Sequence, residues 1–424
     1  MLSVRLREWA TLEPANTPVL RGLRLDGERE RTEATRLADK KFLTIEELAT
    51  GLRIQSASFV GRVQLGSLVV TIEPKLARQP LLALVRYGYG LHDLERFAPT
   101  ALATGGTLLQ DLLAMQLLAE VSDIVSRGLP RRYVAREERL ATPRGRIDFP
   151  ALAPRSVPSM DLPCRHSLRS ADHTLLRVLR GGLDLAARIA VDATLRFELH
   201  ALSQRLGAEV ESVRVTQELL SQTRRSLNRL ESSTEPALNL IELLLSGQEA
   251  SLEADDVTRL PGFLFDMNRL FQAIIGRFLR ENLPRCEVQE EKALKHLLHY
   301  AENPRGKQAP RPRPDFAVTH PTQGRTLLDA KYRDLWERDL PREMLYQLAL
   351  YATSGATKHT AVMLYPTESR AARDARIDIH DVGNGAVRGG VALRPVNLPE
   401  LAEVVRGERD DEARRRIAER WAFG

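Results

Sequence analysis

Residues 311–332 read RPRPDFAVTHPTQGRTLLDAKY, and this stretch decides the fold of the C-terminal part of the chain. Two short apolar runs occupy residues 316–318 and 326–328. Residues 321–324 separate them and include a proline and a glycine, which favour a turn. Apolar runs joined by such a turn predict a β-hairpin.

Three charged side chains lie at the open end of the predicted hairpin. Asp315 precedes its first strand, Asp329 closes its second strand, and Lys331 follows two residues later. Alternate residues of a strand project to one face, so Asp329 and Lys331 should point the same way. A hairpin of suitable register would place Asp315 beside them.

Two convergent carboxylates are suited to bind Mg²⁺ or Mn²⁺, because these ions prefer oxygen ligands. Asp315 and Asp329 are therefore the predicted metal ligands, with the carbonyl oxygen of Ala330 as a further one. A metal held there would polarise a phosphate and lower the pKa of a bound water. Lys331 would orient that water or stabilise negative charge in the transition state. The alternative is a surface hairpin that carries a structural ion pair.

The order of an aspartate, a spacer and Asp-x-Lys resembles the PD-(D/E)xK nuclease motif, and Pro314 stands directly before Asp315. A helix is predicted at residues 343–351, where Gln347 and Tyr351 are four residues apart and therefore share a face. A glutamine and a tyrosine on this helix resemble the accessory motif of the same superfamily. The resemblance implies that Gln347 is a fourth catalytic residue, which orients the lysine or a phosphate.

Composition places the chain among nucleic-acid-compatible proteins of the cytoplasm. It has 424 residues with a net charge of +6 and a pI near 9.4, which is a mild basic excess. The two cysteines, Cys164 and Cys286, give neither a disulfide framework nor a zinc-binding spacing. No apolar run approaches the ~18 residues of a membrane span, and the N-terminus lacks the apolar segment of a signal peptide. We therefore expect a cytoplasmic protein with no membrane partner.

Apolar periodicity predicts a multidomain protein of mixed α/β class. A mixed module is expected at residues 1–105, a region of helices and a β-hairpin at 106–260, and an α/β domain at 261–424. The predicted strands lie at residues 5–12, 59–66, 67–72, 286–289, 360–365 and 377–380. The predicted helices lie at residues 43–52, 81–89, 107–127 and 400–422.

Two basic stretches are candidate contacts for phosphate groups. Residues 127–146 contain seven arginines, and Arg144 and Arg146 flank a glycine there. They would either meet phosphates or form structural ion pairs, and both interpretations stay open. Residues 303–314 contain four prolines and no acid, so we expect an irregular loop beside the site that binds the DNA backbone. Its basic side chains are Arg305, Lys307, Arg311 and Arg313.

The chain as a whole resembles the McrC family, the nuclease partners in modification-dependent restriction systems. The resemblance implies a C-terminal DNA endonuclease and an N-terminal part that acts as a stalk in the pore of an AAA+ GTPase ring, McrB. Arg144 and Arg146 would contact that ring. The chain has no phosphate-binding Walker loop, so nucleotide hydrolysis would fall to the partner. The segments that carry the resemblance are residues 59–75, 143–149, 266–271, 313–315, 329–332 and 346–351.

One position departs from the family pattern and leaves alternatives open. The family often has an acidic residue where this chain has Gln272, so either metal binding is weakened or Glu290 or Glu291 compensates, and the number of metal ions is undecided. The first alternative function is a stand-alone repair or recombination nuclease with the same core. The second is a non-catalytic regulator of a ring NTPase whose nuclease core has decayed at Gln272.

Overall fold

The computed structural model describes residues 2–91, 108–152, 161–229, 231–252, 262–295, 297–354, 360–407 and 410–424. The chain divides into two compact units. One combines Met1–Leu91 with Leu264–Gly424, and the other is His92–Phe263. Among the described helices, none combines the length and the apolar character needed to cross a bilayer.

The N-terminal part of the first unit is mainly β-structure. Its elements are β1 (Leu2–Arg7), β2 (Thr11–Leu12), α1 (Gly27–Asp39), β3 (Leu43–Leu48), β4 (Gly51–Ser56), β5 (Phe59–Leu65), β6 (Leu68–Glu73) and α2 (Arg78–Tyr89). β5 and β6 pair in antiparallel fashion, and β1 lies parallel to β6. The predicted strand pair at residues 59–72 and the helix at 81–89 are confirmed.

The predicted helix at residues 43–52 is wrong. This stretch forms β3 and the start of β4, which pair in antiparallel fashion with Ile45 opposite Ile54. Burial alternates along β3, where Leu43 and Ile45 are buried and the residue after each is more exposed. That period of two is typical of a strand with one buried face. The run of glutamates at 46–47 favours a helix only in isolation.

Within its described residues, the second unit contains five α-helices and a three-stranded sheet. In chain order its elements are α3 (Leu109–Ser126), β7 (Arg132–Leu140), β8 (Arg146–Ile147), β9 (Leu162–Ser170), α4 (Thr174–Ile189), α5 (Ala193–Leu206), α6 (Gln217–Arg225) and α7 (Glu235–Leu252). β9 lies between β7 and β8 and is antiparallel to both. α3, α4 and α7 pack against one another through leucines that are almost fully buried. The helix predicted at 107–127 is confirmed over its described residues.

The remainder of the first unit builds a six-stranded sheet. Its elements are β10 (Gly262–Asp266), α8 (Met267–Asn282), β11 (Glu287–Glu290), β12 (Phe316–His320), β13 (Gly324–Ala330), α9 (Arg342–Thr353), β14 (Thr360–Thr367), β15 (Ala375–His380), β16 (Val387–Asn397), α10 (Leu398–Arg406) and α11 (Asp411–Ala422). The strand order is β11-β12-β13-β14-β16-β15. β12 and β13 form the predicted hairpin, while β13, β14 and β16 run parallel.

The single terminal helix predicted at residues 400–422 is also wrong, because two helices occupy this region. α10 ends at Arg406, and the amide of Gly407 caps it by donating to the carbonyl oxygen of Glu403 at 2.9 Å. α11 then begins anew, with the side chain of Asp410 accepting from the amide of Ala413 at 2.9 Å. An aspartate before a helical stretch is a start signal that breaks the continuous pattern.

The two faces of the six-stranded sheet carry different helices. α9 packs on the face that contains Leu327, Ala361, Met363 and Val391, where Tyr351 is fully buried. α8 packs on the opposite face, which contains the next residues along the strands. A side chain at Gly276 of α8 would place its Cβ 2.9 Å from the ring of Phe316, so only glycine permits this close approach.

Residues 1–105 and 261–424 were expected to form separate domains, whereas Met1–Leu91 and Leu264–Gly424 form one unit. The reason lies in long-range pairing. β10 extends the N-terminal sheet in the order β1-β6-β5-β10, and the amide of Met267 donates to the carbonyl oxygen of Ser58 at 3.0 Å. The expected boundaries after residues 105 and 260 lie outside the described residues.

Candidate active site

The hairpin register brings the two predicted carboxylates together. β12 and β13 pair Phe316 with Leu328, so Asp315 lies opposite Asp329. The Asp315 amide donates to Oδ1 of Asp329 at 3.2 Å, and the Ala330 amide donates to Oδ2 of Asp315 at 2.8 Å. Each aspartate is therefore held by the backbone of the opposite strand.

The amine of Lys331 lies beside both carboxylates. Its Nζ lies 3.2 Å from Oδ2 of Asp315 and 3.7 Å from Oδ2 of Asp329. Burial disfavours the charged amine, but the two neighbouring carboxylates outweigh it and raise the pKa of Lys331 above its ordinary value. The lysine therefore carries its positive charge throughout the neutral range.

Asp329 has an incomplete environment for a charged group. Its side chain is 1% exposed, and its Oδ2 atom accepts no hydrogen bond within the described part of the chain. Burial, followed by the charge of Asp315, raises the pKa of Asp329 to about 6. A buried carboxylate is costly unless cations neutralise it, and here two carboxylates share the single ammonium of Lys331. The donor set of Asp315 and Asp329 therefore fits a divalent metal such as Mg²⁺.

Gln272, at the position where the resemblance predicts an acid, reaches this site from α8. Its Nε2 atom lies 3.5 Å from the carbonyl oxygen of Ala330, the predicted third ligand. Glu290 does not supply the missing charge, because it pairs with Arg280 and stands opposite Phe316 on the α8 face of the sheet. No third acidic, histidine or cysteine side chain joins the two aspartates among the described residues.

Gln347 lies near the site but contacts a different group from the one predicted. Its Nε2 atom donates to the hydroxyl of Tyr351 at 2.7 Å, and within the described residues it makes no hydrogen bond to Lys331. Burial raises the pKa of Tyr351 to about 12, and the charges of Asp329 and Asp315 act in the same direction.

The basic loop at residues 303–314 leaves and returns beside the site. The amide of Glu291 donates to the carbonyl oxygen of Asp315 at 3.0 Å, and the amide of Leu294 donates to that of Pro312 at 2.9 Å. No helix or strand forms between residues 303 and 314, as predicted. Its four basic side chains are exposed and join no ion pair among the described residues; they are Arg305, Lys307, Arg311 and Arg313.

Arg144 and Arg146 belong to the second unit, whereas the carboxylate cluster belongs to the first. Arg146 begins β8 and pairs in register with Arg165 of β9. Gly145 between them has a φ of +73°, and a Cβ there would lie 2.5 Å from the carbonyl oxygen of Arg165. The ion pairs of this sheet include those of Arg165 and Arg132, whereas Arg144 and Arg146 are exposed and form no ion pair in the part of the chain that the structure describes.

Two residues that support the site were not singled out from the sequence. Glu8 follows β1 and is fully buried, and its Oε1 atom accepts from the hydroxyl of Tyr332 at 3.0 Å. Asn268 accepts from the amide of the same tyrosine at 3.0 Å through its Oδ1 atom. No local sequence pattern predicts either hydrogen bond, because Glu8 and Asn268 both lie far from Tyr332 in the chain. Asn268 lies in residues 266–271, a segment that carries the family resemblance, but the resemblance does not predict its hydrogen bond to Tyr332.

The stability of the protein should depend on pH through Glu8. Burial raises the pKa of this carboxyl from 4.5 to about 7. The unfolded chain releases the proton first, so the free energy of unfolding should fall as the pH rises from about 4.5 to about 7, by roughly 2–3 kcal/mol. Glu8→Gln should remove this fall. Urea unfolding of both proteins at pH 5 and pH 8 measures it, and parallel pH dependences would contradict the prediction.

Comparison with known proteins agrees with this architecture. A family model described as McrBC 5-methylcytosine restriction system component matches residues 54–366. A chain in the half-complex from the tetradecameric assembly of Thermococcus gammatolerans McrB AAA+ hexamers with bound McrC has a TM-score of 0.62 and 17% identity, covering 99% of each chain. A chain in the cryo-EM structure of the Thermococcus gammatolerans McrBC complex has a TM-score of 0.46 and 17% identity, covering 66% of this chain and 88% of that one. No curated protein gives a significant match.

The fold and the site define a mixed α/β protein with two carboxylates and a lysine at the end of a sheet hairpin. Because the family model matches most of the chain, the chain belongs to the McrBC family of restriction-system components. The predicted resemblance to McrC and the mixed α/β class are thereby confirmed. The likeness to the first Thermococcus structure shows that the fold is shared along nearly the whole chain.

Proposed function

We propose that this chain is the Mg²⁺-dependent DNA endonuclease subunit of a McrBC-like restriction complex that acts in phage defence. The observation that carries the proposal is the cluster of Asp315, Asp329 and Lys331, in which Asp329 is buried and its Oδ2 atom lacks a hydrogen-bond donor among the described residues. Membership in a restriction-system family supports the same conclusion. Such systems protect the cell by cutting foreign DNA.

Each residue of the cluster has a distinct task in phosphodiester hydrolysis. Asp315 and Asp329, with the carbonyl oxygen of Ala330, would hold the metal, which would supply Lewis-acid activation of phosphate and water. Lys331 keeps a permanent positive charge at the carboxylate pair and offers it to the phosphate oxygens as negative charge develops on them. Gln347, anchored on Tyr351, is an amide group available to orient a phosphate.

The same chain is proposed to bind and stimulate an AAA+ GTPase ring. The Thermococcus structure contains McrB AAA+ hexamers with bound McrC, which supports a ring partner here. The second unit offers a suitable surface, because Tyr133 of β7 and Phe149 after β8 are 77% and 72% exposed, and Arg144 and Arg146 are exposed as well. Exposed aromatic and arginine side chains are the groups enriched at protein interfaces.

The deciding experiment measures cleavage of methylated and unmethylated DNA by the full chain, with and without its ring protein. Reactions contain Mg²⁺ and either GTP or ATP. Cleavage that requires both proteins supports the proposal. Cleavage by this chain alone would favour the stand-alone nuclease. Stimulated nucleotide hydrolysis without any DNA cleavage would favour the non-catalytic regulator.

The basic loop at residues 303–314 should contact the DNA backbone. Replacing its four basic residues with alanine should weaken binding on every sequence and reduce the slope of log affinity against log salt by about 3 to 4. Fluorescence anisotropy over a salt series measures both effects. An unchanged slope would mean that the loop is only a connection. The matched control removes four exposed arginines of the second unit, Arg205, Arg214, Arg225 and Arg229.

The arginines beside Gly145 should support stimulation of the ring. Replacing Arg144 and Arg146 together with alanine should lower the stimulated rate of nucleotide hydrolysis at least about tenfold, because an arginine supplied to a nucleotide site stabilises the transferring phosphate strongly. Steady-state phosphate release by the ring measures the effect, with Arg205→Ala and Arg214→Ala as the control pair. Undiminished stimulation would remove the two arginines from the proposed interface. The full chain is used because Met1–Leu91 packs with the C-terminal part.

A further inference from the structure

The backbone that carries Lys331 leaves the sheet immediately after β13, which ends at Ala330. The Lys331 amide still donates to the carbonyl oxygen of Leu364 at 3.1 Å. The next residue, Tyr332, donates hydrogen bonds to Asn268 through its amide and to Glu8 through its hydroxyl. We propose that Glu8 and Asn268 are positioning residues that hold Lys331 against the two aspartates by clamping Tyr332. This inference rests on the proposed nuclease function.

Asn268 holds the backbone side of Tyr332. Its Oδ1 atom accepts from the Tyr332 amide at 3.0 Å, while its Nδ2 atom donates to the hydroxyl of Ser58 at 2.6 Å. The asparagine is fixed in turn at the start of α8, where its own amide donates to Asp266 at 2.8 Å. All the polar groups of the asparagine side chain are thus engaged between Ser58 and Tyr332.

Glu8 holds the other end of the tyrosine. Its Oε1 atom accepts from the Tyr332 hydroxyl at 3.0 Å and from the amide of Lys75 at 2.7 Å. Glu8 is fully buried, and Tyr332 is 6% exposed. A buried hydroxyl bonded to a buried carboxyl has few alternative partners, so this contact defines one orientation of the ring.

Arg333, the residue after Tyr332, contacts Trp9, which directly follows Glu8 in the chain. The Arg333 amide donates to the carbonyl oxygen of Lys331 at 2.8 Å, and its guanidinium lies 5.7 Å from the ring centre of Trp9. Trp9 adopts a φ of +59°, an uncommon conformation for a non-glycine residue. Backbone strain of this kind persists only where surrounding contacts determine the conformation, and it concentrates at functional sites.

A long lysine side chain needs a fixed backbone if its amine is to act at one point. Displacements of about 1 Å at a reacting centre can lower rates by about two orders of magnitude. The N-terminal strands therefore contribute to the cutting site without touching the DNA or the metal. Glu8 and Asn268 act through Tyr332, and so their removal should reduce the rate of the chemical step rather than the binding of metal.

The test removes the Tyr332 hydroxyl in the full chain. Tyr332→Phe should lower the single-turnover cleavage rate about tenfold and leave Mg²⁺ affinity unchanged. In a Lys331→Ala background the same change should have no further effect, because the lysine through which it acts is gone. The matched control is Tyr87→Phe, whose hydroxyl also donates to a carboxylate, that of Glu281 at 2.6 Å. An undiminished rate, or an equal loss in the Lys331→Ala background, would overturn the inference.

Two further measurements separate this inference from the proposed function and from a folding defect. Glu8→Gln retains an acceptor for the tyrosine and should cleave near the wild-type rate, whereas Glu8→Ala should show the loss. Pulse acetylation followed by mass spectrometry should find Lys331 several-fold more reactive in Tyr332→Phe, with exposed Lys41 as the internal reference. Unchanged reactivity of Lys331 would overturn the inference, even if the wild-type chain cut no DNA. Absence of DNA cleavage by itself would refute only the nuclease proposal.

Discussion

Asp329→Ala is expected to abolish DNA cleavage without unfolding the protein. The substitution removes a buried carboxylate whose Oδ2 atom accepts no hydrogen bond within the described residues, and with it a principal ligand of the proposed metal. A loss of at least about a thousandfold is expected, because both the metal and the water that it activates would be displaced. Single-turnover cleavage with the ring partner measures the rate, and calorimetric titration with Mg²⁺ measures the loss of binding.

A companion variant distinguishes loss of the metal from loss of the fold. Asp329→Asn retains an acceptor for the Asp315 amide but removes the charge, so it should be as inactive as the alanine variant. Without metal it should unfold at a temperature at least equal to that of the wild type at pH 8, because a buried charge is gone. Nuclease activity retained in either folded variant would show that Asp329 is not a ligand.

Lys331→Ala is expected to lower the cleavage rate at least about a hundredfold while leaving metal affinity largely intact. The amine lies beside both carboxylates but is not itself a ligand, so its contribution should appear in the transition state. Lys331→Arg should restore only part of the rate, because a guanidinium is charged but differs in shape and reach. Equal single-turnover rates for wild type and Lys331→Ala would exclude this role.

The parts of the site that depend on local sequence could be predicted correctly. The turn at residues 321–324 and its flanking apolar runs specify the hairpin, and the alternation of side chains places Asp329 and Lys331 on one face. The helix that carries Gln347 and Tyr351 was also apparent from its spacing, and α9 confirms it. In each case the signal extends over fewer than about 20 residues, which is the range in which periodicity is informative.

The parts that depend on distant residues could not be predicted. Residues 43–52 contain helix-forming glutamates, but pairing with the following strand decides their structure. Likewise, no pattern near Glu8 indicates that its partner is Tyr332, because the contact exists only after the two ends of the chain have packed together. The direction of the Gln347 amide toward Tyr351 is a choice among rotamers, which spacing along a helix does not determine.

The composition of the first unit also determines when a newly made chain could begin to cut DNA. Translation delivers residues 1–91 before the second unit, whereas their packing partners at 264–424 follow it. The clamp on Tyr332 requires Glu8 from the earliest part of the product and Asn268 from a much later part. A nascent chain without residues 264–424 would therefore lack the assembled site. A truncated messenger RNA that ends before these residues would likewise give a chain without it. If the chain is a nuclease, as proposed, its cutting centre would thus form only late in synthesis.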